Sequence, residues 1–327
     1  MVTLNDIAKA SGVGISAVSY ALNNTGERKL SRTTRERILR VAKELNYVPN
    51  IAGRALAKRC TLQVGVLLPD WTSEFMFGIF SGLDSVLEQA GYSVIVSRYH
   101  DLDQFNERLR SFANRQIDGV VVFHGYQEAH NSLRELNARM PIVALAIDYN
   151  SDDFPSVLCN GEKAGWLACR HLLELGHRRI AIHHNDMQFF GQGCKQAMVD
   201  FRDATLVFCD TDQARGASEF WAWCRRLPER PTACIAYGDV EAVELVSAIH
   251  DEGLRIPEDV SVVGIDGERI GEIVRPQLTT ILQPCAEQGV MAANALLRRL
   301  HGESSSSIYL QPRLIVRQST ATPRTDK

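Results

Sequence analysis

The sequence predicts a two-part α/β protein: a small all-α module, a hinge helix, and a larger core of two subdomains built on parallel sheets. Three observations predict this. First, charge is divided. Residues 1 to 60 carry eleven Lys and Arg against four acids, a net of +7, while the whole chain is at -3 and the remainder therefore at -10. Such asymmetry marks either a basic module that meets a polyanion or a solvated helical surface. Second, apolar residues follow helical spacing up to Asn46. Past Arg59 they form short runs, near Val64 to Leu68, Ser93 to Val96, Gly119 to Phe123 and Ile142 to Ile147, then near Ile180 to His183, Leu206 to Phe208, Cys234 to Tyr237 and Ser261 to Ile265, alternating with amphipathic helices in the pattern of a parallel sheet with crossovers. Third, Pro49 separates the two patterns; it biases Val48 towards extended backbone and favours a new helix near Asn50.

Composition narrows the class. At 327 residues and 45% hydrophobic content, the chain is long enough for a small domain and a large one. It has neither a signal-peptide-like apolar run nor 18 consecutive apolar residues, so a cytoplasmic protein without membrane segments is expected. Eight cysteines are scattered without a C-x-x-C pair, which argues against a zinc site or disulfide framework. His183, His184 and Asp186 read as a polar loop rather than a metal site, and no cofactor is expected. Phe220, Trp221 and Trp223 read as packing or partner-contact residues. No G-x-G-x-x-G after a strand, G-x-S-x-G or P-loop occurs, so an enzyme would lack its usual markers and no catalytic residue is assigned.

The first 46 residues predict three helices. Thr3 and Asp6 form a capping-box pattern, and the first helix ends at Ser11-Gly12-Val13-Gly14. The second, Ile15 to Leu22, directs Val18, Ala21 and Leu22 inward and leaves Ser16, Ala17, Ser19 and Tyr20 outward. Two short helices joined by a tight Gly-containing turn make a helix-turn-helix. The third begins at Ser31, with Ile38, Leu39, Val41, Ala42 and Leu45 inward and Arg32, Arg35 and Arg37 outward. The hinge helix that follows is about nine residues long, too short to be stable alone in water.

The run T-L-N-D-I-A-K-A-S-G-V-G-I-S-A-V-S-Y-A-L-N, then T-R-E-R-I-L-R-V-A-K-E-L-N-Y-V-P-N, resembles the lactose-repressor (LacI/GalR) family. The likeness resumes in order through V-G-V-L-L-P-D, D-G-V-V-V, L-G-H-R-R-I, I-P-E-D-V-S-V-V-G-I-D, L-T-T-I-L-Q-P and L-Q-P-R-L-I-V-R-Q-S-T. It implies a helix-turn-helix DNA-binding domain at 1-46, a hinge at 47-60 and a periplasmic-binding-protein-like core at 61-327. Within the core, one subdomain covers about 61-158 and 284-311 and the other about 160-282 and 312-327. The chain would cross between them near Cys159, Leu282 to Pro284, and Pro312.

By resemblance, Ile15, Ser16 and Tyr20 occupy base-reading positions of a recognition helix, with Thr3, Ala17 and Ser19 beside them. None of the first three offers the bidentate geometry of Arg on guanine or Asn on adenine, so modest discrimination and shape readout are expected. Ile15 also fits a core position. The loop from Asn23, with Arg28 and Lys29, is longer than usual in the family and suits either phosphate contact or plain solvation. Tyr47, Asn50, Arg54 and Ala57 belong to the hinge contacts, and Leu56 stands where the family inserts a leucine into the minor groove. Gly53 replaces a commoner alanine and lowers hinge helicity by about 1 kcal/mol.

Ligands of open α/β sheets bind beyond the strand C-termini. That rule names Asp70, Trp71, Phe75, Met76, His124, Asp148, the pair Gly238-Asp239 and the pair Asp266-Gly267, and the resemblance adds Phe190. The family implies a small-molecule effector there, a sugar or derivative. Phe190 stands in place of a ligand-anchoring arginine and Gly238 in place of a common asparagine, which points to an effector less polar than an ordinary sugar or to a degenerate pocket. The expected function is a repressor binding a palindromic DNA operator as a homodimer under effector control. A cytoplasmic binding protein with a vestigial DNA module is the alternative, and an α/β enzyme the third reading. Leu56→Ala is expected to weaken operator binding, measured by fluorescence anisotropy, and to leave effector binding and dimerisation intact; unchanged operator affinity removes Leu56 from the mechanism.

Overall fold

The computed structural model describes residues 2–22, 30–47, 60–70, 73–124, 129–146, 153–183, 188–209, 214 and 216–324. The chain divides into two compact units, Met1–Thr61 and Leu62–Lys327. In the first, α1 (Leu4–Ser11), α2 (Ile15–Leu22) and α3 (Arg32–Glu44) pack Ile7, Ala8, Val18, Ala21, Ile38 and Ala42 into one small core. Such a core has little apolar area to offset chain entropy, so helix ends matter. Thr3 caps α1 through a reciprocal bond with Asp6, and Ser31 caps α3 by accepting from the Thr34 amide. Gly12, at φ 64°, ends α1 in the left-handed region, and Val13 N–H reaches back to the Ala8 carbonyl. Asn46, at φ 49°, does the same for α3, with Tyr47 N–H on the Ala42 carbonyl. Leu39, read as inward, is 44% exposed: it follows Ile38 by one position, so the stripe of Ile38 and Ala42 turns it to solvent.

The second unit holds two six-stranded sheets. The first comprises β1 (Gln63–Pro69), β2 (Ser93–Tyr99), β3 (Gly119–His124), β4 (Ile142–Ala146), β5 (Ser156–Cys159) and β11 (Ile308–Leu310) in the order β11-β5-β4-β3-β1-β2, all parallel. The second comprises β6 (Arg179–His183), β7 (Thr205–Cys209), β8 (Ala233–Ile235), β9 (Ser261–Asp266), β10 (Thr279–Leu282) and β12 (Arg313–Ile315) in the order β12-β10-β9-β8-β6-β7, with only β12 antiparallel. The chain passes between sheets at Asn160, at Gln283-Pro284 and at Gln311-Pro312. β8 stops at Ile235, two residues short of the run read from the sequence, and leaves Tyr237 41% exposed.

Parallel sheets must be covered on both faces, and strand alternation does this. On the first sheet, Val64, Val66, Val121 and Val143 face α4 (Glu74–Gln89) and α12 (Cys285–Leu300), while Leu67, Val120, Val122 and Ile142 face α5 (Leu102–Asn114) and α6 (His130–Asn137). On the second, Ile180, Ile182, Val263 and Ile265 face α7 (Gly161–Glu174) and α8 (Gln188–Ala197), while Ala181, Cys234 and Val262 face α9 (Ala217–Cys224) and α10 (Asp239–His250). Each sheet has one helix pair in backbone contact. A Cβ at Gly289 of α12 would lie 1.9 Å from the Ile79 carbonyl oxygen of α4, and one at Gly193 of α8 would lie 1.9 Å from that of Glu162 in α7.

His177, of the L-G-H-R-R-I run, ties the C-terminal segment to the second sheet. Its Nε2–H donates to the Ala321 carbonyl at 2.9 Å and its Nδ1 pairs with the Thr232 hydroxyl at 2.9 Å, in a site 1% exposed. Burial pushes the imidazole down to about 4 from an ordinary 6.5. The folded state therefore binds the neutral ring, so its contribution is complete above pH 6.5 and is lost as pH falls towards 4. We expect denaturant unfolding to show an acid limb of about 2–3 kcal/mol across that window, flattened in His177→Gln.

Candidate nucleic-acid interface and effector cleft

In the helix-turn-helix, Val18 is fully buried and Ala21 is 3% exposed, which fixes the rotation of α2. That rotation leaves Ile15 50% exposed and Ser16 exposed at the helix start, so Ile15 is not a core residue. Ser19 and Tyr20 lie half-buried further along. Ala17, read as outward, is turned against the small core instead, because it lies four positions before the buried Ala21 and so on the same side of the helix. Thr3 is exposed, but its hydroxyl is committed to Asp6 at 2.7 Å. Tyr47 is half-buried and packs on the core while its amide closes α3. On α3, Arg32 pairs with Glu36 at 3.0 Å and Arg40 with Glu44 at 3.8 Å; Arg35 and Arg37 make no such pair among the described residues. The other candidates, Asn23, Arg28, Lys29, Asn50, Arg54, Leu56 and Ala57, lie outside the described residues.

The cleft lies where strand C-termini of both sheets converge within the second unit. Beneath the ends of β9 and β10 lie two buried carboxyl groups. Asp239, fully buried at the start of α10, accepts from the Glu268 amide at 2.6 Å and from the Thr280 hydroxyl at 2.5 Å. Burial pushes its carboxyl up to about 7 despite those bonds, and pushes Asp266 well above the carboxylate range with Asp239 adding to the rise. Asp266 accepts from Gln283 Nε2 at 2.7 Å and holds φ at 107°, a conformation rare outside glycine and of the kind that costs about 1–3 kcal/mol. At Gly238 a Cβ would stand 2.3 Å from Glu241 Oε2, so its bareness lets the Glu241 carboxylate fold over the α10 start. Cys159 and Cys285 flank two of the crossings, and burial pushes each thiol up to about 12, which makes them inert rather than nucleophilic.

Other expected cleft residues are placed elsewhere. Phe75 and Met76 are 7% and 3% exposed and pack into the core under α4, because the first turn of that helix rotates them onto the first sheet; only their amides face its N-terminus. Phe190 is 2% exposed and packs with Ala164, Ala168 and Cys194 between α7 and α8. Asp70 spends its carboxylate on Arg98 at 3.1 Å and His100 at 2.9 Å. The backbone of His124 ends β3, while Trp71 and Asp148 lie outside the described residues. His183 stacks on Phe220 at 4.5 Å, and Trp221 is buried in the same cluster. Among the described residues no group of His, Cys, Asp and Glu has a metal-holding arrangement. No described helix is long and apolar enough to cross a membrane.

Sequence reasoning missed Glu268, Glu74 and Gln283. Glu268 was within reach, since it follows the strand-end pair Asp266-Gly267; its bond to Phe75, 193 residues away, carried no local signal. The rotation of α2 can be checked directly. Val18→Ala is expected to cost about 2 kcal/mol and Ile15→Ala within about 0.5 kcal/mol, read from native-state hydrogen exchange of the α1 to α3 amides.

Residues 3–50 match the model of bacterial regulatory proteins of the lacI family, and residues 169–320 match the periplasmic binding protein-like domain. The chain is 29% identical over 338 residues to the HTH-type transcriptional repressor PurR of Vibrio vulnificus, covering 98% of each. It is 28% identical over 331 residues to the ribose operon repressor of Haemophilus influenzae, again covering 98% of each. Among solved structures, the Lac repressor bound to ONPG in the repressed state superposes with a TM-score of 0.84 at 25% identity, covering 98% of this chain and 99% of that one. With its helix-turn-helix module, its doubly wound two-sheet core and full-length relatives in the same order, the chain belongs to the lacI family of transcriptional regulators.

Proposed function

We propose that the chain is a transcriptional repressor that binds a palindromic DNA operator as a homodimer, acts in the cytoplasm by binding rather than catalysis, and answers to a small-molecule effector in the inter-subdomain cleft. The observation that carries this reading is α2. Val18 and Ala21 anchor it while Ile15 and Ser16 stand exposed at its start, in a segment with net charge +7. A helix so presented reads base edges in a major groove, and the surrounding cations neutralise phosphates. The names of the relatives, a PurR repressor and a ribose operon repressor, support regulation by repression.

One helix-turn-helix reads one half-site, so a palindrome calls for two copies of the chain. Phe77 of α4, 69% exposed, and Val96 of the edge strand β2, 46% exposed, supply apolar surface for that pairing. The domain division at 46 and 60, and the hinge contacts of Asn50, Arg54, Leu56 and Ala57, belong to the same proposal. For the effector, withdrawal of Phe190 into the core supports a ligand less polar than an ordinary sugar, or a degenerate pocket. Selection from a random DNA pool tests the whole. A palindrome should be enriched, its affinity should fall steeply with salt, and Ser16→Ala and Tyr20→Ala should relax base preference in each half-site. No enrichment, or binding insensitive to salt, overturns the proposal.

A further inference from the structure

Two hydrogen bonds cross the cleft, and each joins a carboxylate of one subdomain to a helix-start amide of the other. Ser73 caps α4 by accepting from the Met76 amide at 3.3 Å, which leaves the Phe75 amide without an acceptor in its own subdomain. Glu268, on the loop after β9, supplies it: Oε1 accepts from Phe75 N–H at 2.9 Å. In return Glu74, in the first turn of α4, accepts at Oε2 from Arg269 N–H at 3.0 Å, and Arg269 is the N-cap of α11 (Ile270–Ile273). This is the reciprocal logic of a capping box, made between two subdomains instead of within one helix. Glu268 and Phe75 are 6% and 7% exposed, so the first bond is shielded from water; Glu74 is exposed and its bond is the weaker member. Glu268 is aimed by its own amide, held on the buried Asp239.

We propose that this trans-capping pair is a built-in lock: Glu268 and Glu74 hold the two subdomains together when no effector is present, so an effector must break or reroute the Glu268 bond to change the core. Glu268 thereby becomes a positioning residue that sets effector-free conformation without touching DNA. Its consequence for operator affinity rests on the function proposed above; the lock itself does not. Both donors are backbone amides, so the lock depends on the two carboxylates and not on the side chains of Phe75 or Arg269.

The test uses the full chain without DNA or added ligand. Hydrogen exchange is read at the Phe75 and Arg269 amides, and the radius of gyration by small-angle X-ray scattering. Glu268→Ala is expected to speed Phe75 exchange about tenfold and to enlarge the radius of gyration, with Glu268→Gln intermediate because its carboxamide oxygen still accepts. Glu74→Ala should release Arg269 while leaving Phe75 protected, which keeps the proposal testable if Glu268→Ala fails to fold. Wild-type exchange at both amides and an unchanged radius of gyration in the folded variants overturn the lock. If wild-type protein binds no DNA, the functional reading falls and the lock is still decided by exchange and scattering. Where an operator is found, Glu268→Gln should shift effector-free affinity several-fold, and an identical affinity severs the lock from regulation.

Discussion

The geometry of the cleft depends on one buried carboxylate, that of Asp239. It joins three pieces of chain that are remote in sequence: the start of α10, the loop after β9 through the Glu268 and Gly267 amides, and β10 through the Thr280 hydroxyl. A carboxylate taken out of water is costly unless donors surround it, and here they do so incompletely enough that burial still lifts its pKa to about 7. Ala242, Leu245 and Val246 of the same helix are packed in the core behind it. What this arrangement secures is direction. With its amide pinned, Glu268 projects towards α4, and the two sheets become mechanically connected at their C-terminal ends.

Much of the fold was legible in the sequence, for a physical reason. Parallel strands buried on both faces read as continuous apolar runs, so β1, β3, β4, β6 and β9 announced themselves, and the change from helical to strand patterning separated module from core. The three-residue strands β11 and β12 have no room for a pattern, since each pairs along one neighbour and owes its place to the crossings that precede it. In the module, the glycine turn at Gly12 and the break at Pro49 gave the helix ends. Leu39 misled because a five-residue apolar set on a short helix covers more arc than so small a core can bury.

The candidate site was less legible, because the strand-end rule names residues and not directions. Asp70, Phe75 and Met76 follow β1 as the rule requires, yet their side chains go to Arg98 and His100 or under α4. Those destinations are set by tertiary partners. The same holds for Phe190: read as a substitution inside a ligand pocket, it is instead part of the close α7 and α8 contact, where Gly165 and Gly193 bring backbones together and a flat apolar side chain fills the space beside them. A residue type that departs from a family pattern can therefore report a change in packing as well as a change in ligand.

The strength of a lock decides whether it can serve as a switch. A hydrogen bond to a charged group contributes about 1.5–3 kcal/mol when shielded and less than about 1 kcal/mol when exposed, so the Glu268 and Glu74 pair together bias the core by roughly 2–3 kcal/mol, or one to two orders of magnitude in population. A bias of that size sits inside the range that a ligand with modest differential affinity can reverse. Two fully buried ion pairs in the same place would hold the subdomains too tightly for a small ligand to move, and two exposed ones would not hold them. One buried carboxylate and one exposed carboxylate, each on a backbone amide, fall between these limits. Because the donors are main-chain groups, mutation can alter the residues around the cleft, and with them the ligand, without dismantling the lock.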